Sequence, residues 1–383
     1  MNKNAQETKK KKPYTVLVAV LALLVVAALA VTALLLAFGE DAAVMECDGT
    51  VITEPMYAYL LSACKYDFLV SYKNYGLKDT RASWESPLPG DVGEGQTWAS
   101  FFEESFRTHL ERMLVGAMLY DRELSLSAAD KEALDGAIDD YASSLGGENE
   151  ANGLLKEYGC TLSDVRRVLA LEKKAELYFK EVYGADGEKV SAEKLEAEYQ
   201  KNFARVKTIF VRTSGAMVGS DSEGDPVYAT MTEAELNAAN EKIAKIGFLL
   251  AGTASVTEDA FVQLQKEYTE DGAAKDFPGG YYLSEGCVYD PKVIDKALAM
   301  EIGTWDKVDG EYGTFFIYRC ANVKGAYATT ENRQWFEGFA LSVAADLYGE
   351  ELALHMDKVA ADEEALSAYS VIYAKQSYEI QIG

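Results

Sequence analysis

Between Val206 and Cys320 the apolar positions change period several times, and each change predicts an element. The run Val206-Lys207-Thr208-Ile209-Phe210-Val211 sends alternate side chains to opposite faces, the pattern of a strand. Apolar residues then recur at three- and four-residue spacing, at Leu236, Ala239, Ile243, Ile246 and Leu250, on one face of a helix. Thr232 and Glu235 form a capping-box pair at its start, and Gly252 is placed to end it. A shorter helix is predicted around Phe261, Leu264 and Tyr268, followed by Thr269-Glu270-Asp271, a loop and the pair Gly279-Gly280. Asp290-Pro291 starts another helix, which Gly303 stops. Two strands close the stretch, Thr304 to Val308 and Gly313 to Arg319, joined by a turn at Asp309-Gly310.

Upstream, Val44 to Cys47 has the pattern of a short strand, Asp48-Gly49 of a turn, and Thr53 with Pro55 of a helix start running to about Tyr75. Lys78 to Gly95, with Pro87, Pro89 and several glycines, is expected as a long mobile loop. From Thr97 to Phe203 the pattern is helical throughout, with start signals at Thr97, Ser127, Thr161 and Ser191 and a break at Gly146-Gly147. Its aromatic residues, from Trp98 and Phe102 to Tyr178 and Tyr183, are expected mostly as core. Some are candidates for a groove that takes unfolded chains. After Thr330 a further helix carries a wide stripe, Trp335, Phe339, Val343 and Leu347, which needs a partner surface. The tail from Tyr369 to Ile382 alternates weakly, as a strand does.

The N-terminus adds a membrane signal. Lys9 to Lys12 precede Tyr14 to Phe38, an apolar run broken only by Thr15 and Thr32, and a span needs about 20 such residues. Lysines before it and Glu40-Asp41 after it orient residues 1–13 to the cytoplasm and the rest outside. The competing expectation is a signal peptide cleaved after Gly39; the length of the apolar core favours an uncleaved anchor over 14–38. No lipoprotein box is present, since Cys47 lies well past the apolar core.

Charge and composition then narrow the chemistry. The net charge is −25 over 383 residues; residues 1–13 carry +4, so the remainder carries −29. A body that acidic repels nucleic acid and anionic lipid head groups, which excludes both as partners. Five cysteines, at 47, 64, 160, 287 and 320, show neither CxxC nor metal-ligand spacing and are expected as buried free thiols, with Cys287 and Cys320 the one candidate pair for proximity. Only His109 and His355 are available to a hydrolase or a metal site; both fall on predicted helices, and neither is accompanied by a nucleophile elbow. No phosphate-cradling glycine loop occurs.

The ordered set of elements from 204 to 323 resembles the parvulin family of peptidyl-prolyl isomerases. Thr208-Ile209-Phe210-Val211 sits where parvulins carry His-Ile-Leu-Val. Phe261 to Asp271 resembles their Phe-x-x-Leu-Ala helix and Ser-x-Asp segment, Gly279-Gly280 their paired glycines, and Gly313-Thr314-Phe315-Phe316-Ile317 their closing Gly-x-His-Ile-Ile strand. The flanks resemble the membrane-held SurA and PrsA foldases. The resemblance implies an α+β chain: the N-terminal transmembrane helix, a mainly helical chaperone domain over 40–203, an inserted parvulin-like domain over 204–323, and a segment 324–383 that returns to the chaperone domain.

The resemblance also implies a site. Asp271 falls on the family's Cys/Asp position, Thr208 replaces its first histidine and Phe315 its second, and Val293 replaces the pocket's usual Phe. Asp271 and Thr208 are thus the candidate catalytic residues, and Val293, Phe315, Tyr281 and Phe210 the candidate substrate-binding ones. Asp271 is expected to face Thr208 across a shallow cleft walled by Val293 and Phe315. Isomerisation needs no cofactor or metal, and the implied partners are unfolded or exported polypeptides. With both histidines replaced, two functions fit: a membrane-anchored isomerase with weak activity, and a non-catalytic holdase with a degenerate peptide-binding domain.

Overall fold

The computed structural model describes residues 42–90, 92–93, 95–220, 226–253 and 255–382. The predicted tail 1–13 and anchor 14–38 lie outside the described residues; among those described, no helix is long and apolar enough to cross a membrane. In chain order the described strands are β1 (Ala43–Cys47), β2 (Thr50–Thr53), β3 (Ala204–Arg212), β4 (Met217–Ser220), β5 (Pro226–Tyr228), β6 (Tyr281–Leu283), β7 (Trp305–Asp309), β8 (Gly313–Cys320) and β9 (Val359–Ala361). The chain divides into two compact units, one running to Val182 and resuming at Gly349, the other spanning Tyr183–Tyr348. The second unit is thus wider at both ends than the 204–323 read from the sequence.

In the first unit β1 pairs antiparallel with β2 and β9. Asp48 and Gly49 join β1 to β2, both at positive φ, as a two-residue hairpin turn requires. Helices Glu54–Ser71, Trp98–Glu123, Ala128–Ser144 and Leu162–Tyr183 begin and end close to where their cap residues predict. Thr97 and Ser127 each accept the amide three residues on, closing capping boxes. The aromatic residues are chiefly core: Trp84, Trp98, Phe102, Phe106, Tyr141 and Tyr178 are buried.

Three expectations for this unit are corrected. The start of the Lys78–Gly95 stretch, Lys78–Trp84, is fastened rather than free: Arg81–Trp84 forms a helical turn, Trp84 is fully buried and its Nε1 donates to Asp79 Oδ1 at 3.0 Å. The tail after Tyr369 is not a strand. It runs through turns to a 3₁₀ turn at Tyr378–Ile380, where Tyr59 and Tyr141 hydroxyls donate to the carbonyls of Ile380 and Glu379. His355 lies beyond the end of the Phe339–Ala353 helix, not on it.

In the second unit four antiparallel strands run in the order β6-β3-β8-β7. The pleat sorts β3 into two faces. Ile209 and Val211 pack with Phe316, Tyr318, Ile246, Leu250 and Phe261 beneath helices Glu233–Ala251 and Glu258–Tyr268. Val206 and Ala204 face the other way, with Ile317, Tyr281, Leu283 and Val293 of helix Pro291–Ala299. Leu236, from the predicted stripe, is left exposed. Cys320 and Cys287 belong to opposite faces of this sheet, and all five cysteines are free thiols.

The stripe after Thr330 does not act as one surface. Gly338, at φ 73°, separates a 3₁₀ segment Thr330–Trp335 from helix Phe339–Ala353. Trp335 therefore packs on Phe277 and Tyr281, while Phe336 and Phe339 pack on Phe203, all within the second unit. Only the chain from Gly349 onward rejoins the first unit, where β9 pairs with β1.

Candidate functional site

β6 pairs with β3 only over Ala204–Val206, which leaves the rest of that edge of β3 without a strand neighbour. The end of the Glu258–Tyr268 helix supplies the missing partners. Gln265 Nε2 donates to the Thr208 carbonyl at 2.8 Å, the Phe210 amide donates to Thr269 Oγ1 at 3.1 Å, and the Glu270 amide donates to the Phe210 carbonyl at 2.7 Å. The Arg212 amide donates to Glu270 Oε2 at 2.8 Å. Thr269-Glu270-Asp271 is thereby stapled along the strand, and this places Asp271 beside the Phe210 end of β3.

A second tether sets the loop that follows. Arg205, buried to 9% exposure, forks onto Glu258 at 3.0 and 2.9 Å and donates to the Gly279 carbonyl at 2.8 Å. Lys207 Nζ donates to the Pro278 carbonyl next to it. Gly280 sits at φ 97°, where a Cβ would stand 2.5 Å from the Val206 carbonyl oxygen. Only glycine admits so close an approach in that conformation, and the approach delivers Tyr281 to the end of β6.

The cleft that results has a volume of about 380 Å³ and is lined by Phe210, Phe315, Asp271, Tyr289, Pro291 and Tyr312, with Asp290 and Glu311 on its rim. Phe210 and Phe315 are direct cross-strand partners, with ring centroids 4.6 Å apart, and form an aromatic floor. Tyr289 joins it, its ring 5.9 Å from Phe315 and 5.6 Å from Tyr281. Tyr281 Oη donates to Asp271 Oδ2, and Asp271 Oδ1 accepts the Ala273 amide at 2.9 Å. Burial and this bond to a carboxylate push the Tyr281 hydroxyl pKa up, so it stays a donor at neutral pH. Burial likewise pushes Tyr289 up, against a smaller pull from the Thr208 hydroxyl.

Of the six residues singled out in the sequence, Asp271, Phe210 and Phe315 line the cleft. Thr208, Val293 and Tyr281 are buried behind it, at 0%, 0% and 3% exposure. The expected face-to-face arrangement of Asp271 and Thr208 across an open cleft, walled by Val293, is therefore corrected: Tyr289 lines the cleft, and Thr208 and Val293 do not. Thr208 lies on the same face of β3 as Phe210, but its Oγ1 is fully buried and has no hydrogen-bond partner. Tyr289, Tyr312 and Glu311 were missed because they come from irregular chain with no periodicity; the one available signal was the helix-start pair Asp290-Pro291 directly after Tyr289.

A larger groove of about 750 Å³ lies along Trp335, Phe339 and Cys287. It contains none of the six residues and no aromatic pair stacked across strands, so the smaller cleft is the better candidate. Among the described residues no group of His, Cys, Asp and Glu is arranged to hold a metal ion.

No protein-family model and no curated protein matches the chain. Solved structures do. The PPIase domain of TbPar42 is 22% identical, over 30% of this chain and 98% of that one, at a TM-score of 0.23. PrsA from Bacillus subtilis is 17% identical, over 77% of this chain and 91% of that one, at 0.20. The foldase protein PrsA from Streptococcus pneumoniae is 15% identical, over 85% of this chain and 98% of that one, at 0.22. Overlap at such TM-scores is slight, and the function below rests on this chain's own residues.

Proposed function

We propose that this protein is a membrane-anchored foldase of the parvulin type, acting outside the cytoplasm on X-Pro bonds of unfolded or exported polypeptides. The observation that carries this is the cleft itself: an aromatic floor of Phe210 and Phe315 beside Tyr289 and the Tyr281–Asp271 hydrogen bond. It lies on a sheet whose strands and helices follow the parvulin order. The location outside the cytoplasm rests on the apolar run Tyr14–Phe38 and its flanking charges.

The chemistry asks for little. Resonance gives the prolyl amide a rotation barrier of roughly 18–20 kcal/mol, and any environment that favours the twisted amide lowers it. The aromatic floor grips the prolyl ring and excludes water from one side. Twisting localises the nitrogen lone pair, for which a tyrosine hydroxyl is a donor. Asp271 is a positioning group here, since its two oxygens already hold Tyr281 and the Ala273 amide.

Cis–trans exchange of a short Leu-Pro peptide, followed by NMR with catalytic amounts of the full chain, tests the reading. Acceleration that falls when Tyr289→Phe removes the donor supports it. Exchange no faster than the uncatalysed rate excludes the isomerase, and leaves the holdase. That second reading has its own support in the aromatic cluster Phe68, Tyr72, Tyr75, Trp98 and Phe101 of the first unit, where Tyr75 is exposed.

A further inference from the structure

The polar side of the cleft hangs on a short edge strand. β6 has three residues, lies at the edge of its sheet and pairs with β3 alone. So short a ladder offers few backbone bonds to fix its side chains. Tyr281 and Tyr282 fall in clusters on opposite faces of β6. Two consecutive residues from beyond the parvulin-like stretch grip them. Trp335 meets Tyr281 edge-on, with ring centroids 5.5 Å apart and planes at 71°, and Phe336 meets Tyr282 at 5.2 Å. Phe336 is buried and also packs on Tyr199 at 5.4 Å and Phe203 at 4.8 Å, which anchors the pair to the end of the Ala192–Asn202 helix. Phe277 closes a triangle of rings, 5.6 Å from Tyr281 and 5.3 Å from Trp335. Tyr281 carries this grip to the cleft. Its ring stands 5.6 Å from Tyr289, whose ring stands 5.9 Å from Phe315, and its hydroxyl donates to Asp271. From Trp335 to the Phe315 floor the rings form an unbroken line.

We infer that Trp335 is a positioning residue for the cleft: it holds Tyr281, and through it Tyr289 and Asp271, in place beside the prolyl site. The site is then complete only with a segment that lies outside 204–323. The inference rests on the isomerase reading for its effect on rate, whereas the placement of Tyr289 is readable without any catalysis. Edge-to-face ring pairs are directional as well as attractive. A donor displaced by about 1 Å loses much of its hold on a transition state. The floor does not depend on this line of rings. Phe210 and Phe315 are direct partners in the β3–β8 ladder, so the grip on the prolyl ring should survive when the line is cut.

The test uses the full chain in neutral detergent with the peptide Ala-Leu-Pro-Phe. NMR reads affinity by line broadening and catalysis by cis–trans exchange in the same spectra. Trp335→Leu fills much of the space without a ring. It should slow exchange about tenfold while affinity stays within about twofold. Trp335→Phe returns a ring edge to Tyr281 and should recover most of the loss. Trp305→Leu removes a ring that packs on Phe316 on the other face of the sheet, and should leave exchange unchanged. With Tyr289→Phe already in place, Trp335→Leu should add little, because both act on one donor. A single 3-fluorotyrosine at position 289 gives a fluorine line that should shift with Trp335→Leu, return with Trp335→Phe and ignore Trp305→Leu. A rate untouched by Trp335→Leu overturns the inference, and so do losses that add to those of Tyr289→Phe. Affinity lost in step with rate, an equal loss in Trp305→Leu, or collapse of amide protection at Ile209 marks a packing role and overturns it too. If the parent chain does not accelerate exchange, the isomerase is excluded and the fluorine line decides the inference alone: a shift upholds the positioning, and an unmoved line overturns it.

Discussion

Replacing Thr208 by valine should make the second unit more stable. Thr208 is fully buried on β3 and its hydroxyl has no hydrogen-bond partner, although its backbone carbonyl is well held by Gln265 at 2.8 Å. In the unfolded chain that hydroxyl is hydrated. Folding therefore costs its desolvation without return, about 1–3 kcal/mol. Valine keeps the β-branch that suits a strand and adds a methyl group in place of the oxygen. Against this stands the loss of the Thr208 hydroxyl beside Tyr289, whose effect there is smaller than that of burial. The net expectation is a gain of about 1–2 kcal/mol. Because the chain has two units, a single melting temperature would mix them. Native-state hydrogen exchange avoids the problem, since the amides of Ile209 and Val211 sit in the core and exchange only when that unit opens. Their protection should rise about 5- to 30-fold, with the first unit's amides unchanged. Unchanged or reduced protection at Ile209 would refute the reasoning, because it would mean that the hydroxyl has a partner in solution.

Gly280→Ala should destabilise the same unit by about 2 kcal/mol or more, since alanine must hold φ near 97° with its Cβ against the Val206 carbonyl; a denaturation midpoint within error of the parent would contradict this. Tyr281→Phe should cost about 1–2 kcal/mol in urea unfolding by taking a donor from the Asp271 carboxylate, and should slow any isomerisation. Lys65→Met, in the first unit, should cost about 2–3 kcal/mol, because Lys65 is 1% exposed and bonds both Asp79 and the Ala374 carbonyl; Trp84 fluorescence reports the loss. Burial in a crevice with His109 pushes the Glu172 carboxyl above its ordinary 4.5. The folded state then holds its proton more tightly than the unfolded state, so stability falls as pH rises from 4.5 through the raised value. Glu172→Gln should therefore stabilise the first unit at pH ~7 and have little effect near pH ~4; equal effects at the two pH values would contradict the shift.

Much of the architecture was written locally. The alternation at Val206–Val211, the capping boxes at Thr97, Ser127 and Thr232, and the Asp48-Gly49 turn each depend on a few adjacent residues, and each appears where the pattern put it. Asp271, Phe210 and Phe315 were legible as candidates because a resemblance in order is carried by position along the chain. What needed tertiary structure was every fact that depends on register or on irregular chain. Burial of Thr208 and Val293 follows from which face of β3 the Pro291–Ala299 helix covers, and one residue of slip would reverse it. Tyr289 and Glu311 enter the cleft from segments with no period to read. The stripe from Trp335 to Leu347 was continuous as a helical wheel, yet Gly338 at φ 73° breaks it and turns Trp335 onto Tyr281. Local propensity is a property of neighbouring residues, whereas a site is a meeting of distant ones, decided by how the whole unit packs.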